Sequence, residues 1–175
     1  MVNIKPPNYK FCPFCAGRLQ VIDDEERERK FCPSCNWTYY PQVFTAVTAL
    51  IRKKGKVLMV KRGREPFKDT WMFPGGFIEY GENPLTTLRR EVKEETGLWV
   101  KKARLIDILE GKNDPRAPGN LHFLYEVAVE EGEIKTDGVE NKDIGWFEVR
   151  KPPKIGFASH IKIIKLLQGG FGNKI

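Results

Sequence analysis

The sequence predicts an α/β domain, with a mixed sheet lying between helices, preceded by a small four-cysteine ribbon. Three observations predict it. All four cysteines fall in the first 35 residues, as two C-x-x-C pairs. Strand-like apolar runs then alternate with two helical patterns along the rest of the chain. The first helix is dense in glutamate and follows a Gly-Gly loop. A length of 175 residues with 41% hydrophobic content suits one ordinary domain plus a small appendage.

The ribbon comes first. Cys12-Pro13-Phe14-Cys15 and Cys32-Pro33-Ser34-Cys35 are separated by 16 residues, the spacing of a zinc ribbon, in which two tight turns close a tetrahedral thiolate site. Some 35 residues cannot bury enough core to fold alone, and a structural metal solves that problem. Two disulfides would need an oxidising compartment that nothing else in the chain supports, and a redox dithiol would need only one pair. Structural zinc on Cys12, Cys15, Cys32 and Cys35 is therefore expected. The mixed-sign run over residues 23–30 reads as the solvated tip of a hairpin. Trp37-Thr38-Tyr39-Tyr40-Pro41 reads as the closing strand and the link. The expected domains are a ribbon over 1–40 and a second domain over 41–175.

The second domain reads as strands over 43–52 and 56–62 around a turn at Gly55, then the Gly-Gly loop and the acidic helix. Asn83 is a suitable helix cap, Pro84 suits the first helical position, and Gly97 suits a left-handed end. Leu85, Leu88 and Val92 form a stripe expected to face the core. Glu91, Glu94 and Glu95 lie beside it, at i, i+3 and i+4, within about 6 Å of one another. At an effective dielectric near 20 each such pair repels by roughly 3 kcal/mol, so a cation is expected among them. Oxygen ligands at that density suit a hard ion such as magnesium or manganese. Strands over 98–110, 121–130 and 144–149 follow, with a Gly-, Asn- and Pro-containing loop over 111–120. A last helix runs from about Ser159, read as its cap, to Gln168.

Gly76, Glu82, Arg90, Glu91, Val92, Glu94, Glu95, Gly97 and Leu98 fill nine specified positions in a span of 23 residues. Their spacing resembles the signature of Nudix hydrolases without a departure. The lead-in Trp71-Met72-Phe73-Pro74-Gly75 and the later Gly145-Trp146-Phe147 are similar to that family as well, and the resemblance covers roughly 42 to 168. It implies an α/β/α sandwich and hydrolysis of a nucleoside diphosphate linked to another group, by water attack on phosphorus. It also implies roles: Glu91 and Glu95 as metal ligands, Glu94 as a further ligand or the general base, and the Gly75 carbonyl as another ligand. Arg90 would orient a carboxylate, and Glu82 would steady the loop. An extra acid from a later loop is expected at Glu140 or Asp143. Arg62 and Arg64 are placed to clamp phosphate oxygens, and Phe44 is a candidate to stack a purine.

A zinc ribbon ahead of such a domain resembles the NADH pyrophosphatase group, and Tyr40-Pro41-Gln42-Val43 is close to its Tyr-Pro-Arg segment. The Ser-Gln-Pro-Trp motif of that group is absent from residues 110–118. The expected substrate is therefore ADP-ribose or a related nucleotide sugar, with Pro115 near a characteristic proline of ADP-ribose pyrophosphatases. NAD(H), nucleoside triphosphates and an RNA 5′ end are the alternatives; a non-catalytic nucleotide sensor or nucleic-acid-binding module is the reading of another class. The net charge of +7 favours polyanionic partners, but no aromatic-rich basic cluster supports RNA.

Other chemistries are excluded on composition. Two histidines and two serines, one inside a C-x-x-C pair, do not make a Ser-His-Asp hydrolase. No Gly-Lys-Ser/Thr follows Gly75-Gly76, so the loop is not a Walker loop. The longest apolar run, 43–51, is half the length needed to span a bilayer, and residues 1–7 lack the apolar core of a signal peptide. A cytoplasmic protein without a membrane partner is expected, with a homodimer left open.

Overall fold

The computed structural model describes residues 7–136 and 138–170. The N-terminal stretch read for a signal peptide therefore lies almost wholly outside the described residues. The chain divides into two compact units, Met1–Val43 and Phe44–Ile175.

In the first unit, β1 (Gln20–Asp24), β2 (Arg27–Cys32) and β3 (Trp37–Tyr39) form an antiparallel sheet in that order. The charged run over 23–30 is mostly these strands, with Asp24 opposite Arg27 and only Glu25-Glu26 left for the turn. Both turn residues have positive φ, at 52° and 62°, which is the twist a tight hairpin needs. The buried apolar cluster is just Cys12, Leu19 and Cys32 with Trp37 against it. A core of that size leaves the unit dependent on its cysteines.

The second unit is built on strands of alternating character. In β4 (Thr45–Lys53), Val47, Ala49 and Ile51 pack into one cluster while Leu50 packs into another. β5 (Lys56–Arg62) alternates likewise, with Leu58 on the first side and Val57 and Met59 on the second. The remaining strands are β6 (Trp71–Met72), β7 (Val100–Glu110), β8 (Leu121–Val129) and β9 (Asn141–Glu148). The sheet runs β6-β5-β4-β8-β7, with β9 pairing β5. β4 and β8 are parallel, Thr45 to Ile51 against Leu121 to Val127, and the other pairs are antiparallel. Helix α1 (Pro84–Thr96) lays Leu88 and Val92 on the first face, and α2 (Ala158–Gln168) lays Ile163 and Ile164 on the second. The expected α/β/α sandwich with a mixed sheet is borne out. Among the described residues no helix is long and apolar enough to cross a membrane.

Local signals account for α1. The Asn83 side chain accepts from the Leu85 and Thr86 N–H groups at 3.0 Å each, Pro84 opens the helix, and Gly97 closes it at φ 74°. Two details differ from expectation. Leu85 is 38% exposed rather than in the core stripe, and Glu95 is buried at 4% exposure rather than beside it. The buried face is rotated toward Thr87, Glu95 and Thr96, where Thr87 bonds to Glu82 and Glu95 accepts from the Gly75 N–H.

α2 corrects the expectation that Ser159 caps it. Phe157 holds the cap position with no side-chain bond, and Ser159 is buried inside the first turn. The cap comes instead from the 111–120 loop: Asn113 Oδ1 accepts from the Ala158 N–H at 2.8 Å, and its amide donates to the Gly156 carbonyl at 3.0 Å. Replacing Asn83 by alanine leaves two N–H groups of α1 without their acceptor. It should lower stability by about 1 kcal/mol in chemical denaturation, and an unchanged midpoint would contradict the cap.

Candidate active site and thiolate site

Cys12, Cys15, Cys32 and Cys35 place their sulfurs within 4.8 Å of one another. The closest separations are 3.4 Å for Cys15–Cys32 and 3.5 Å for Cys12–Cys35. Disulfides need about 2.05 Å, so the four thiols are not bridged. A tetrahedron with metal–sulfur bonds of about 2.3 Å has edges of about 3.8 Å, close to what the cluster offers.

In the second unit a cleft of about 480 Å³ lies where β4 begins. Ala46 and Val47 of β4, the Gly75-Gly76 loop, the outer face of α1, the 111–120 loop and the start of α2 line it. Pro74 and Gly76 carbonyls accept from the Ala49 and Val47 N–H groups, at 2.8 and 2.9 Å, and tie the loop to β4. Gly75 stands between them at φ 146°, and a Cβ there would sit 2.1 Å from the Val47 carbonyl oxygen. A Cβ on Gly76 would sit 2.2 Å from Glu91 Oε1. The two glycines thus let the loop press on β4 on one side and on a carboxylate on the other.

The glutamates converge on a guanidinium. Arg90 Nε and one terminal nitrogen each donate to Glu82 at 2.9 Å, and the other terminal nitrogen donates to Glu91 at 2.8 Å and Glu94 at 3.2 Å. Arg90 and the Thr87 hydroxyl hold the Glu82 carboxyl down to about 2. Burial pushes the Glu91 carboxyl up, against the opposing pull of Arg90. Of the three acids expected around a cation, Glu91 and Glu94 share Arg90, which also holds Glu82. Glu95 faces inward: its Oε2 accepts from the Gly75 N–H at 2.7 Å and its Oε1 from the Asn141 amide at 2.8 Å.

Glu91, Glu94, Glu95, Arg90, Gly75, Arg62, Arg64 and Glu140 all line the cleft. Glu82 stands behind Arg90 rather than in the lining. Arg62 is buried, its Nε donating to the Pro66 carbonyl at 2.8 Å and its guanidinium lying 5.1 Å from the Phe157 ring. Arg64 pairs with Glu140 at 2.7 Å. Phe44 is outside the lining and 60% exposed; its ring is 5.9 Å from that of Phe77, which does line the cleft. Asp143 lies outside it too, exposed on β9 with its carboxylate accepting from the Ile144 N–H.

Sequence reasoning missed Asp114, Arg116, Asn120, His122 and His160 in the lining. One signal was available: residues 111–120 form a loop between two strands of the sheet, and binding residues concentrate on loops carried by a rigid scaffold. The histidines carried none. His160 Nδ1 accepts from the Phe73 N–H at 2.9 Å, and His122 Nδ1 lies 3.1 Å from the Thr48 hydroxyl. Burial first, then the neighbouring His122 and Arg62, holds His160 well below its usual range, and burial lowers His122.

This is a loop-and-helix cleft on a mixed sheet, lined by carboxylates and guanidiniums. The sequence pattern of the NUDIX domain matches residues 41–167, and that of the Nudix N-terminal zinc ribbon matches residues 10–41. The chain belongs to the Nudix family, and is an enzyme of its pyrophosphohydrolase class. An ADP-ribose pyrophosphatase of Methanocaldococcus jannaschii is 38% identical over 121 residues, covering 69% of this chain and 70% of that protein. An NAD-capped RNA hydrolase NudC of Vibrio parahaemolyticus is 28% identical over 146 residues, covering 83% of this chain and 54% of that protein. The chain thus spans about half the length of the NudC relatives it matches. The crystal structure of a NUDIX hydrolase from Nitrosomonas europaea shares the fold, with a TM-score of 0.72, 22% identity and 91% coverage of both chains.

The two glycines should separate on mutation. Gly75→Ala drives a Cβ into β4 backbone and should cost about 1–3 kcal/mol or more, read as a lowered melting temperature. Gly76→Ala meets only the end of a side chain, so it should shift Glu91 in a crystal structure at little loss of stability. Equal effects on melting from both would contradict this geometry.

Proposed function

We propose that the chain hydrolyses the diphosphate of ADP-ribose or a related nucleotide sugar, with a divalent ion in the cleft and a structural zinc on its four cysteines. The observation that carries the reaction is the set of α1 carboxylates gathered by Arg90 against a Gly-Gly loop that has no room for side chains. The substrate class is supported by the M. jannaschii relative, which this chain matches over more than two thirds of either length.

The donor set fits a hard cation. Glu91 and Glu95 with the Gly75 carbonyl would hold it, all oxygen donors as magnesium or manganese prefers. When bound, the ion screens phosphate charge and lowers the pKa of a water. The protein's own groups do the rest. Arg90 fixes the direction of Glu91 and Glu94, and Glu82 in turn fixes Arg90. Glu95 is held by the Gly75 N–H and Asn141, so loop, helix and β9 move together at that carboxylate. Glu94 is the most exposed of the three, at 56% for its side chain, and has the longest contact to Arg90. We assign it the proton of the attacking water. The water oxygen bonds to one phosphorus, the bridging P–O bond breaks, and the bridging oxygen leaves with its electron pair on the second phosphate. For ADP-ribose the products are AMP and ribose 5-phosphate.

Hydrolysis of NAD(H) or of an NAD-capped RNA end is a second reading, favoured by the NudC relatives. A magnesium-dependent screen over ADP-ribose, nucleotide sugars, NAD, NADH and NAD-capped RNA decides between them. ADP-ribose or a nucleotide sugar should give the highest kcat/KM, and a preference for either NAD form would overturn the substrate assignment. Glu94→Gln should lower kcat by about 10²–10⁴-fold with an unchanged melting temperature; near-normal turnover would remove Glu94 as the base. Metal analysis of the purified protein should find one zinc per chain, lost in Cys32→Ser. A chain without zinc would remove the ribbon assignment.

A further inference from the structure

Four arginines line the cleft and each has a partner within the protein, Arg64 through a single bond from one terminal nitrogen on a 55% exposed side chain. Arg90 holds three carboxylates. Arg62 contacts the Pro66 carbonyl at 2.8 Å, the Met72 sulfur at 3.4 Å and the Glu65 carbonyl at 3.5 Å. Arg64 is paired with Glu140, which the Nudix resemblance offered as an extra acid.

Arg116 is held differently. Asp114 grips one edge of it, Oδ1 accepting from Nε at 3.0 Å and Oδ2 from Nη2 at 2.7 Å. Asp114 Oδ1 also accepts the Arg116 backbone N–H at 3.0 Å, so the carboxylate, itself 5% exposed, is tied to the loop. The Arg116 guanidinium lies 5.3 Å from the Phe77 ring centre, which supports one face of it. Nη1 has no hydrogen-bond partner among the described residues, and the side chain is 38% exposed. The edge formed by Nη1 and the second N–H of Nη2 is therefore a fork pointing away from Asp114. The loop that carries it is fixed as well, through Asn113 to α2 and through the Gly111 N–H to the Asn120 carbonyl at 2.8 Å.

We propose that Arg116 is a substrate-binding residue whose free edge takes the phosphate oxygens of the diphosphate, with Asp114 as the residue that positions it. This rests on the proposed function. A guanidinium with a second open fork matches a phosphate in two parallel hydrogen bonds. Its rotamer is already set by Asp114 and Phe77, so little ordering opposes binding. The surroundings agree. Burial, then the charges of Arg116 and Arg64, lowers the affinity of Arg62 for its proton. The charges of Arg116 and Arg64 thus both act on Arg62, against the opposing pull of Glu95 and Asp114, and an anion beside them offsets that repulsion.

The test measures equilibrium binding of ADP at low salt, and KM and kcat on the best substrate, for Arg116→Gln, Arg116→Lys and Asp114→Asn. Arg116→Gln should weaken ADP at least tenfold, flatten the dependence of its affinity on salt, and raise KM more than it lowers kcat. Arg116→Lys keeps the charge without the fork and should lose less. Asp114→Asn should show a partial loss of ADP affinity with Arg116 intact. Melting temperatures separate binding from folding, and Arg116→Lys retains length should the glutamine variant fold poorly. ADP affinity within twofold of wild type in both Arg116 variants, or a salt dependence that does not change, overturns the proposal. A wild-type protein that turns over no nucleoside diphosphate derivative overturns the proposed function itself. Turnover that is indifferent to Arg116 overturns only this residue's role.

Discussion

Arg90 stands between Glu82, which precedes the helix, and Glu91 and Glu94 on the helix itself, and bonds to all three. Partly exposed ion pairs of this kind contribute only about 0–1 kcal/mol each to stability, so the value of the arrangement lies in placement. Glu82 is anchored in addition by the Thr87 hydroxyl at 2.7 Å, and this fixes Arg90 from behind. Glu91 and Glu94 then take their directions from Arg90. The acidic face of α1 is thus preorganised by a cation of the protein itself, and the repulsion among neighbouring carboxylates is balanced within the chain.

The rest of the cleft depends on that face staying close to the sheet. Gly76 allows Glu91 to approach the loop, and Gly75 allows the loop to approach β4, each through the absence of a Cβ. Glu95 completes the connection by accepting from the Gly75 backbone and from Asn141 at the start of β9. Burying a carboxylate is tolerable only when such donors compensate for lost water. The site therefore rests on one helix, one loop and two strands, and a displacement in any of them is felt at the carboxylates.

Much of the α1 region was legible in the sequence because its determinants are local. Asn83, Pro84 and Gly97 act within four residues of themselves, and the E-x-x-E-E spacing puts the acids on one side whatever the tertiary context. The strands of the sheet were legible for the same reason, since the apolar runs in residues 45–53 and 56–62 are a property of consecutive side chains. Leu85 and Glu95 were misread because helical periodicity gives the spacing of a stripe but not which way the helix rolls on its sheet. Ser159 was misread because an acceptor from Asn113, 45 residues away, holds the helix end that a local cap would have held.

By itself the sequence determined the four-thiol ribbon, the α/β class, the glutamate-rich helix after the Gly-Gly loop, and with them the family and the reaction class. These follow from spacings short enough for covalent geometry to enforce. Only the tertiary structure decided what faces the helix across the cleft. Asp114, Arg116, Asn120, His122 and His160 come from a loop, the strand after it and the last helix. They meet because β8 pairs in parallel with β4 and because α2 is pinned to the loop. Contacts of that kind depend on strand register and long-range hydrogen bonds, which leave no period in the sequence.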